Sequence, residues 1–420
     1  MRLHYALAAP RSEGQAPRVS EENGIAACAR QIVAVRRLTL TDFRGYAAAR
    51  LTVEALPVVL TGPNGAGKTN LLEALSFLAP GRGLRHARLG EIDRRTRTGD
   101  GAMGEPAGGC WAIHATVATQ AGPVEIGTGR EGPVSGMRDG AETGEKRIVR
   151  IDGAPAKNQA MLGRHMTLVW LTPSMDRLFT DGGTARRRFL DRLVYGFDPE
   201  HAARLSAYDQ AMRERARLLR DGPHDRVWLG ALEETMAANG IAIAAARMDM
   251  TARLDQACAE RQGPFPAARL ALDGEIESLL ARLPALGAED EFRTRLAALR
   301  RQDGETGTTS LGPHRSDLIV RRAVTLVKAA EGSTGEQKAL LIAILLAHAR
   351  LQTQIKGMTP VLLLDEVAAH LDRTRRQALF GELTALGAQA WLTGTDAELF
   401  ADLRGQAQFF AVAGGTLAPG

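Results

Sequence analysis

"GPNGAGKTNLLEALSFLA", residues 62–79, decides the fold. Glycines at 62, 65 and 67 let the backbone wrap until its N–H groups converge, and Lys68 and Thr69 follow at once. An amphipathic helix pattern starts there, so its positive dipole end faces the same point. The apolar run "PVVL", 57–60, comes just before. Strand, glycine turn and helix in that order make a phosphate loop, and the amphipathic helix weighs against a chance Gly-rich turn. Gly62, Pro63, Asn64, Gly65, Ala66, Gly67, Lys68, Thr69 and Asn70 form the candidate cradle. Lys68 is expected at the β- and γ-phosphates of ATP and the Thr69 hydroxyl on Mg²⁺.

A phosphate loop needs an acidic partner, and "VLLLDE", 361–366, supplies one. Four apolar residues place a strand in a sheet core, and Asp365 and Glu366 leave its carboxyl end, the edge where open α/β sheets bind ligands. Asp365 is the expected second holder of Mg²⁺, and Glu366 the residue that orients or deprotonates the attacking water. Two solvated acids ending a strand are the ordinary alternative.

"EGSTGEQKALLIAILLAHA", 331–349, runs a polar turn into an almost wholly apolar helix. Ser333 with Glu336 satisfies the capping-box pattern, which explains the turn on local physics. The same hydroxyl, free N–H groups and dipole also make an anion site. Its candidate residues are Ser333, Gly335, Gln337 and Lys338.

Away from these motifs, alternating runs over 34–60 predict a small antiparallel sheet ending in a buried strand, with further strands in "CWAIHATVA", "PVEIGT" and "KRIVRIDG". Gly-rich stretches at 98–109 and 130–145 are expected loops. From Thr172 to about Arg301 the texture is helical: Leu205, Tyr208, Met212, Ala216 and Leu219 share one face, as do Phe292, Leu296 and Leu299. Strand signals return at "SDLIVRRAVTLV", and "AQAWLTGT" is expected to close the pattern. The resulting division is an extension over 1–32, a head over 33–171, a helical lobe over 172–305 and the rest of the head over 306–420. The fold class is α/β, a phosphate-loop NTPase with an inserted, mainly helical second lobe.

Composition adds little. The chain has 420 residues, a formal charge of +5 and a sequence pI near 9.4, compatible with nucleic acid without establishing it. Its longest apolar run, Ala339–Ala347, is too short for a bilayer, and the first residues make a poor signal peptide. Three scattered cysteines fit a reduced cytoplasmic protein without zinc.

Phosphate loop, long insert, S-T-G-E-Q-K, "LLLDE" and then "AAHLD", 368–372, resemble the ATP-binding-cassette superfamily. There the signature turn of one subunit grips the γ-phosphate held by another, implying an ATP-dependent homodimer with Asp372 at its interface. "LTLTDFRGY", 38–46, "GRGLRHARLGE", 81–91, "RRRFLDR", 186–192, and "SLGPHRSDL", 310–318, narrow the likeness to the RecF family. That resemblance implies a cassette-ATPase head, slow hydrolysis, and action on DNA at single-strand gaps and junctions with duplex. It also implies cooperation with RecR and RecO in loading RecA. Arg44 matches a position that approaches the nucleotide phosphates. Asp365-Glu366 departs from the Asp-Asp common in the family, towards the transporter and SMC pattern, and the extension over 1–32 is unusual.

Candidate DNA-phosphate contacts are Arg85, Arg88 and Arg186–Arg188, with salt bridging as the alternative for each. Few aromatics point to backbone contacts without sequence choice. A membrane-transporter ATPase subunit shares the four motifs, but would carry its signature closer to the loop and a His where Thr393-Gly394-Thr395 stands. An SMC protein needs a long coiled-coil arm, which the Pro and Gly interruptions exclude. A DNA-binding scaffold that holds ATP but scarcely cleaves it stays open.

Overall fold

In the computed structural model the described residues are 31–97, 103–106, 110–130, 146–220, 225–259 and 263–420. Residues 31–420 form one compact unit. The extension up to residue 30, Cys28 within it, and most of the two Gly-rich stretches lie outside the described residues.

A six-stranded, mainly parallel sheet runs in the order Leu168–Leu171, Val361–Leu364, Ala390–Gly394, Val58–Thr61, Gln408–Ala413 and Thr416–Pro419. All but the last strand are parallel. Its residues alternate between two cores, as the pleat requires. Val59, Val169, Leu171, Leu362, Leu364 and Leu392 face one way, onto the buried helix Thr334–Lys356. Val58, Leu60, Leu168, Trp170, Leu363 and Trp391 face the other, onto the phosphate-loop helix Lys68–Ser76 and a second, antiparallel sheet.

That second sheet has the order Ala154–Pro155, Arg147–Ile151, Gly122–Arg130, Ala112–Thr119, Ala34–Phe43, Tyr46–Thr52. The strands predicted at 34–52, 110–118, 123–128 and 146–153 all lie in it. Three expectations need correction. Within the stretch 98–109 expected as loop, Met103–Pro106 is a strand paired antiparallel with Arg95–Arg97. Val58–Thr61 does not end the antiparallel sheet; it pairs parallel with Ala390–Gly394 and Gln408–Ala413 in the other one. Nor does "AQAWLTGT" close the pattern, because Gln408–Ala413 and Thr416–Pro419 follow it.

Between the two halves of the parallel sheet the chain is largely helical, with Gly183–Tyr195, His201–Arg220, the 34-residue Arg226–Ala259 and Ala285–Ala298 as its long members. Tyr208, Phe292 and Leu296 are buried together there, with Leu205, Met212 and Leu299 against them. One strand, Ala268–Asp273, interrupts the helices and pairs with Asp317–Arg322, so a two-stranded sheet spans residues 305 and 306.

Candidate nucleotide site

Parallel strands that share a direction put their carboxyl ends on one edge, and three of them build the site there. Val58–Thr61 leads into the phosphate loop, Val361–Leu364 into the two acids, and Ala390–Gly394 lies between them.

The loop is shaped by backbone that side chains would obstruct. Gly62, Gly65 and Gly67 have φ of 150°, 79° and 112°. A Cβ on Gly62 would come 2.2 Å from the Val412 carbonyl oxygen, and one on Gly67 2.8 Å from the Tyr46 hydroxyl. Tyr46 fixes the loop by donating to the Gly67 carbonyl at 3.0 Å, and burial pushes its phenol up to about 12. Lys68 is buried, its ammonium donating to the Gly62 and Pro63 carbonyls at 2.6 and 2.9 Å. Burial lowers its pKa, against the pull of Glu366 and Asp365.

Thr69 donates to both carboxylate oxygens of Asp365, at 3.1 and 3.0 Å. Thr393, fully buried on the middle strand, donates to Asp365 Oδ1 at 2.7 Å and accepts from the Glu366 amide at 2.9 Å. Glu366 is left-handed, φ 50°, so the chain turns sharply between the acids. Burial raises the Asp365 pKa more than the two hydroxyls and Arg85 lower it. A threonine hydroxyl and an aspartate beside a phosphate cradle are the hard oxygen donors that suit Mg²⁺.

Arg44 sits beside this constellation without joining it. Its guanidinium grips Glu73 through Nε at 3.0 Å and Nη2 at 2.7 Å, and donates to the Glu91 carbonyl at 2.6 Å. Arg85 binds Glu73 too, at 2.8 Å, and Asn70 at 2.7 Å. Glu73, fully buried on the phosphate-loop helix, thereby couples the loop to two arginines.

In the signature turn Ser333 caps the helix Thr334–Lys356: its Oγ accepts from the Glu336 amide at 3.3 Å, and its own amide donates to Glu336 Oε2 at 2.8 Å. Arg322 adds an ion pair to Glu336 at 2.7 Å. Ser333, Thr334 and Gly335 are exposed, with open space where a Gly335 side chain would stand. Gln337 and Lys338 are buried, bonded inward to Gly332 and Asp176. Asp372 caps Arg373–Leu386 by accepting from the Arg375 amide at 2.8 Å.

A family model described as the RecF/RecN/SMC N terminal domain matches residues 34–416. The DNA replication and repair protein RecF of Rhizobium etli is 49% identical over 385 residues, covering 91% of this chain and 98% of that protein. The chain belongs to the RecF family. RecF of Brucella suis is also 49% identical, over 92% of this chain and 96% of its own. Two solved RecF structures share the fold. The one described as RecF-ATPrS in the RecFOR pathway has TM-score 0.76 at 19% identity, and the RecF-ATP one 0.75 at 20%; they cover 92% and 93% of this chain and 98% and 99% of theirs.

The RecF motifs carried two site residues that the sequence reading passed over, and a third, Thr393, lay outside them. Tyr46 and Glu73 stand inside the quoted motifs, and a lone acid on an apolar helix face was the available signal for Glu73. Thr393 had only its place at the end of a strand. Of the arginines weighed for DNA, Arg186 is bidentate to Asp317 at 2.7 and 2.8 Å, and Arg187 is held by the Ser316 carbonyl and the Thr184 hydroxyl. Arg188 is exposed.

Proposed function

We propose that this RecF-family chain is an ATP-switched DNA-binding protein of the cytoplasm. It pairs head to tail with a second copy on DNA at single-strand gaps and junctions, and hydrolyses ATP slowly. The observation that carries this reading is the bonded set Thr69–Asp365–Thr393–Glu366 at the mouth of the phosphate loop. Lys68 would exchange its two loop carbonyls for phosphate oxygens. Thr69 and Asp365 would hold Mg²⁺, which supplies neutralising charge to the phosphates when bound. Glu366, pinned through its amide, would orient the attacking water. The exposed face Ser333–Gly335 with its helix dipole suits an anion brought by another molecule, namely the γ-phosphate of the partner's ATP. Cooperation with RecR and RecO in loading RecA belongs to the same proposal, on the strength of the family.

Sedimentation of the purified protein with and without ATP tests it. Wild type should shift to a dimer with ATP. Lys68→Ala should stay a monomer. Ser333→Arg should bind a fluorescent ATP analogue as wild type does and yet fail to pair; a Ser333→Arg protein that dimerises with ATP leaves the turn as a helix cap only.

A further inference from the structure

A second cationic site lies in the helical region. An open cleft of about 540 Å³ is bounded by Gly183–Tyr195, His201–Arg220, Arg226–Ala259 and the segment 307–315. The stretches "RRRFLDR" and "SLGPHRSDL", which the nucleotide site does not use, both contribute walls. Five guanidiniums line it, Arg187, Arg188, Arg213, Arg247 and Arg315, against the carboxylates Asp191 and Asp209, leaving three positive charges in excess.

The floor is built, and its Arg247 is neutralised in place. Arg247 grips both oxygens of Asp191 at 2.7 and 2.8 Å and donates to the Pro313 carbonyl, while His201 meets Asp191 at 2.8 Å. Thr309 O takes the Nε2 proton of His314 at 2.9 Å, so Nδ1 accepts from the Tyr208 hydroxyl at 2.8 Å. Burial beside Arg315 and Arg187 lowers the His314 pKa, so this ring stays neutral. Arg315 is anchored on the same Thr309 carbonyl at 3.0 Å.

The rim is different. Arg188 and Arg213 are exposed and, among the described residues, their guanidiniums make no hydrogen bond or ion pair, though both act on the carboxylate of Asp209. Salt bridges would account for arginines held like Arg186; they do not account for two arginines lining one cleft that both act on the single carboxylate of Asp209. Like charges held across a cleft repel, and a bound anion removes the cost.

We propose that this cleft is a phosphate-ester site, separate from the phosphate loop, with Arg188 and Arg213 as its movable clamps and Arg187 and Arg315 as fixed ones. A DNA backbone and a free nucleotide carry the same chemistry. In its DNA arm the proposal rests on the DNA-binding function above.

The test uses the full chain as wild type, Arg188→Glu/Arg213→Glu and Lys68→Ala, without ATP. Anisotropy of a labelled oligothymidylate and calorimetry with inorganic pyrophosphate supply the two arms, and a fluorescent ATP analogue reports on the phosphate loop. The double charge reversal should weaken oligothymidylate at least about ten-fold and lower its salt slope by about 1.4, two phosphates at ~0.7 each. It should leave analogue binding intact, which also shows that the protein is folded. Loss confined to pyrophosphate assigns the cleft to a free phosphate ligand; loss of both assigns it to DNA. Unchanged affinity in both arms overturns the site while leaving DNA binding standing. If wild type binds no oligothymidylate, the DNA function fails and the pyrophosphate arm alone decides the cleft.

Discussion

Thr393 gives its hydroxyl proton to Asp365 and takes one from the Glu366 amide, so one side chain sets the positions of both acids. Thr393→Val keeps the shape and removes both bonds. It leaves the Glu366 amide without its acceptor, at about 1–3 kcal/mol, and Asp365 with the Thr69 hydroxyl alone. Single-turnover hydrolysis should fall about ten-fold or more, because Glu366 loses its fixed geometry, while analogue binding changes little. Asp365 offers a test in pH. Its folded pKa is raised, so it contributes stability when protonated, below the unfolded value, and that contribution is lost as pH rises through the folded value. At neutral pH it is therefore a charge held at a cost for its ligand. Asp365→Asn should melt higher than wild type at pH 7 without nucleotide, by ~2 °C. The gap should close as pH falls through the raised pKa. The same variant should lose the Mg²⁺ dependence of analogue binding.

At the scale of elements, the phosphate loop and the strand Gln408–Ala413 cannot be separated, because Gly62 lies against the Val412 carbonyl. Gly62→Ala should push that strand away and abolish analogue binding, whereas Gly65→Ala, with open space for its methyl group, should strain the loop only through its φ of 79°. Analogue titration compares them. The phosphate loop, the acid strand and the capped helix were legible because each concentrates its signal within a few residues. The edge strand Leu168–Leu171 was not, since a strand buried on both faces shows no period-2 alternation. Gln408–Ala413 escaped for a related reason: its role comes from a parallel neighbour some 350 residues away. Thr393 was invisible because its importance is set by register, Leu392 opposite Leu364, which places it beside Asp365. On local physics the signature turn read first as a cap, and only the order of motifs along the chain pointed to an anion site; its exposed half, Ser333–Gly335, divides from its buried half, Gln337 and Lys338, only in three dimensions.

Across the whole molecule the helical region hangs on a buried charge cluster. Arg215, without solvent exposure, binds Glu233 at 3.0 Å, Asp303 at 2.7 Å and the Leu296 carbonyl at 2.8 Å. Arg215→Ala would leave two carboxylates in the interior, although Arg300 still pairs with Glu233. Thermal melting should register a loss of about 3–5 kcal/mol. Glu366→Gln acts at the same scale through pairing: filter binding should show a DNA-bound dimer that persists with ATP, and faster release than wild type would contradict the proposed role. The parallel sheet also constrains how the protein comes into being. The loop at 62–69 is synthesised early, yet the strand that separates it from its acids ends at Gly394 and the one that backs Gly62 ends at Ala413. A growing polypeptide therefore carries a phosphate loop without walls until residue 413 has left the ribosome. The walls of the loop are thus among the last parts of the polypeptide to be made.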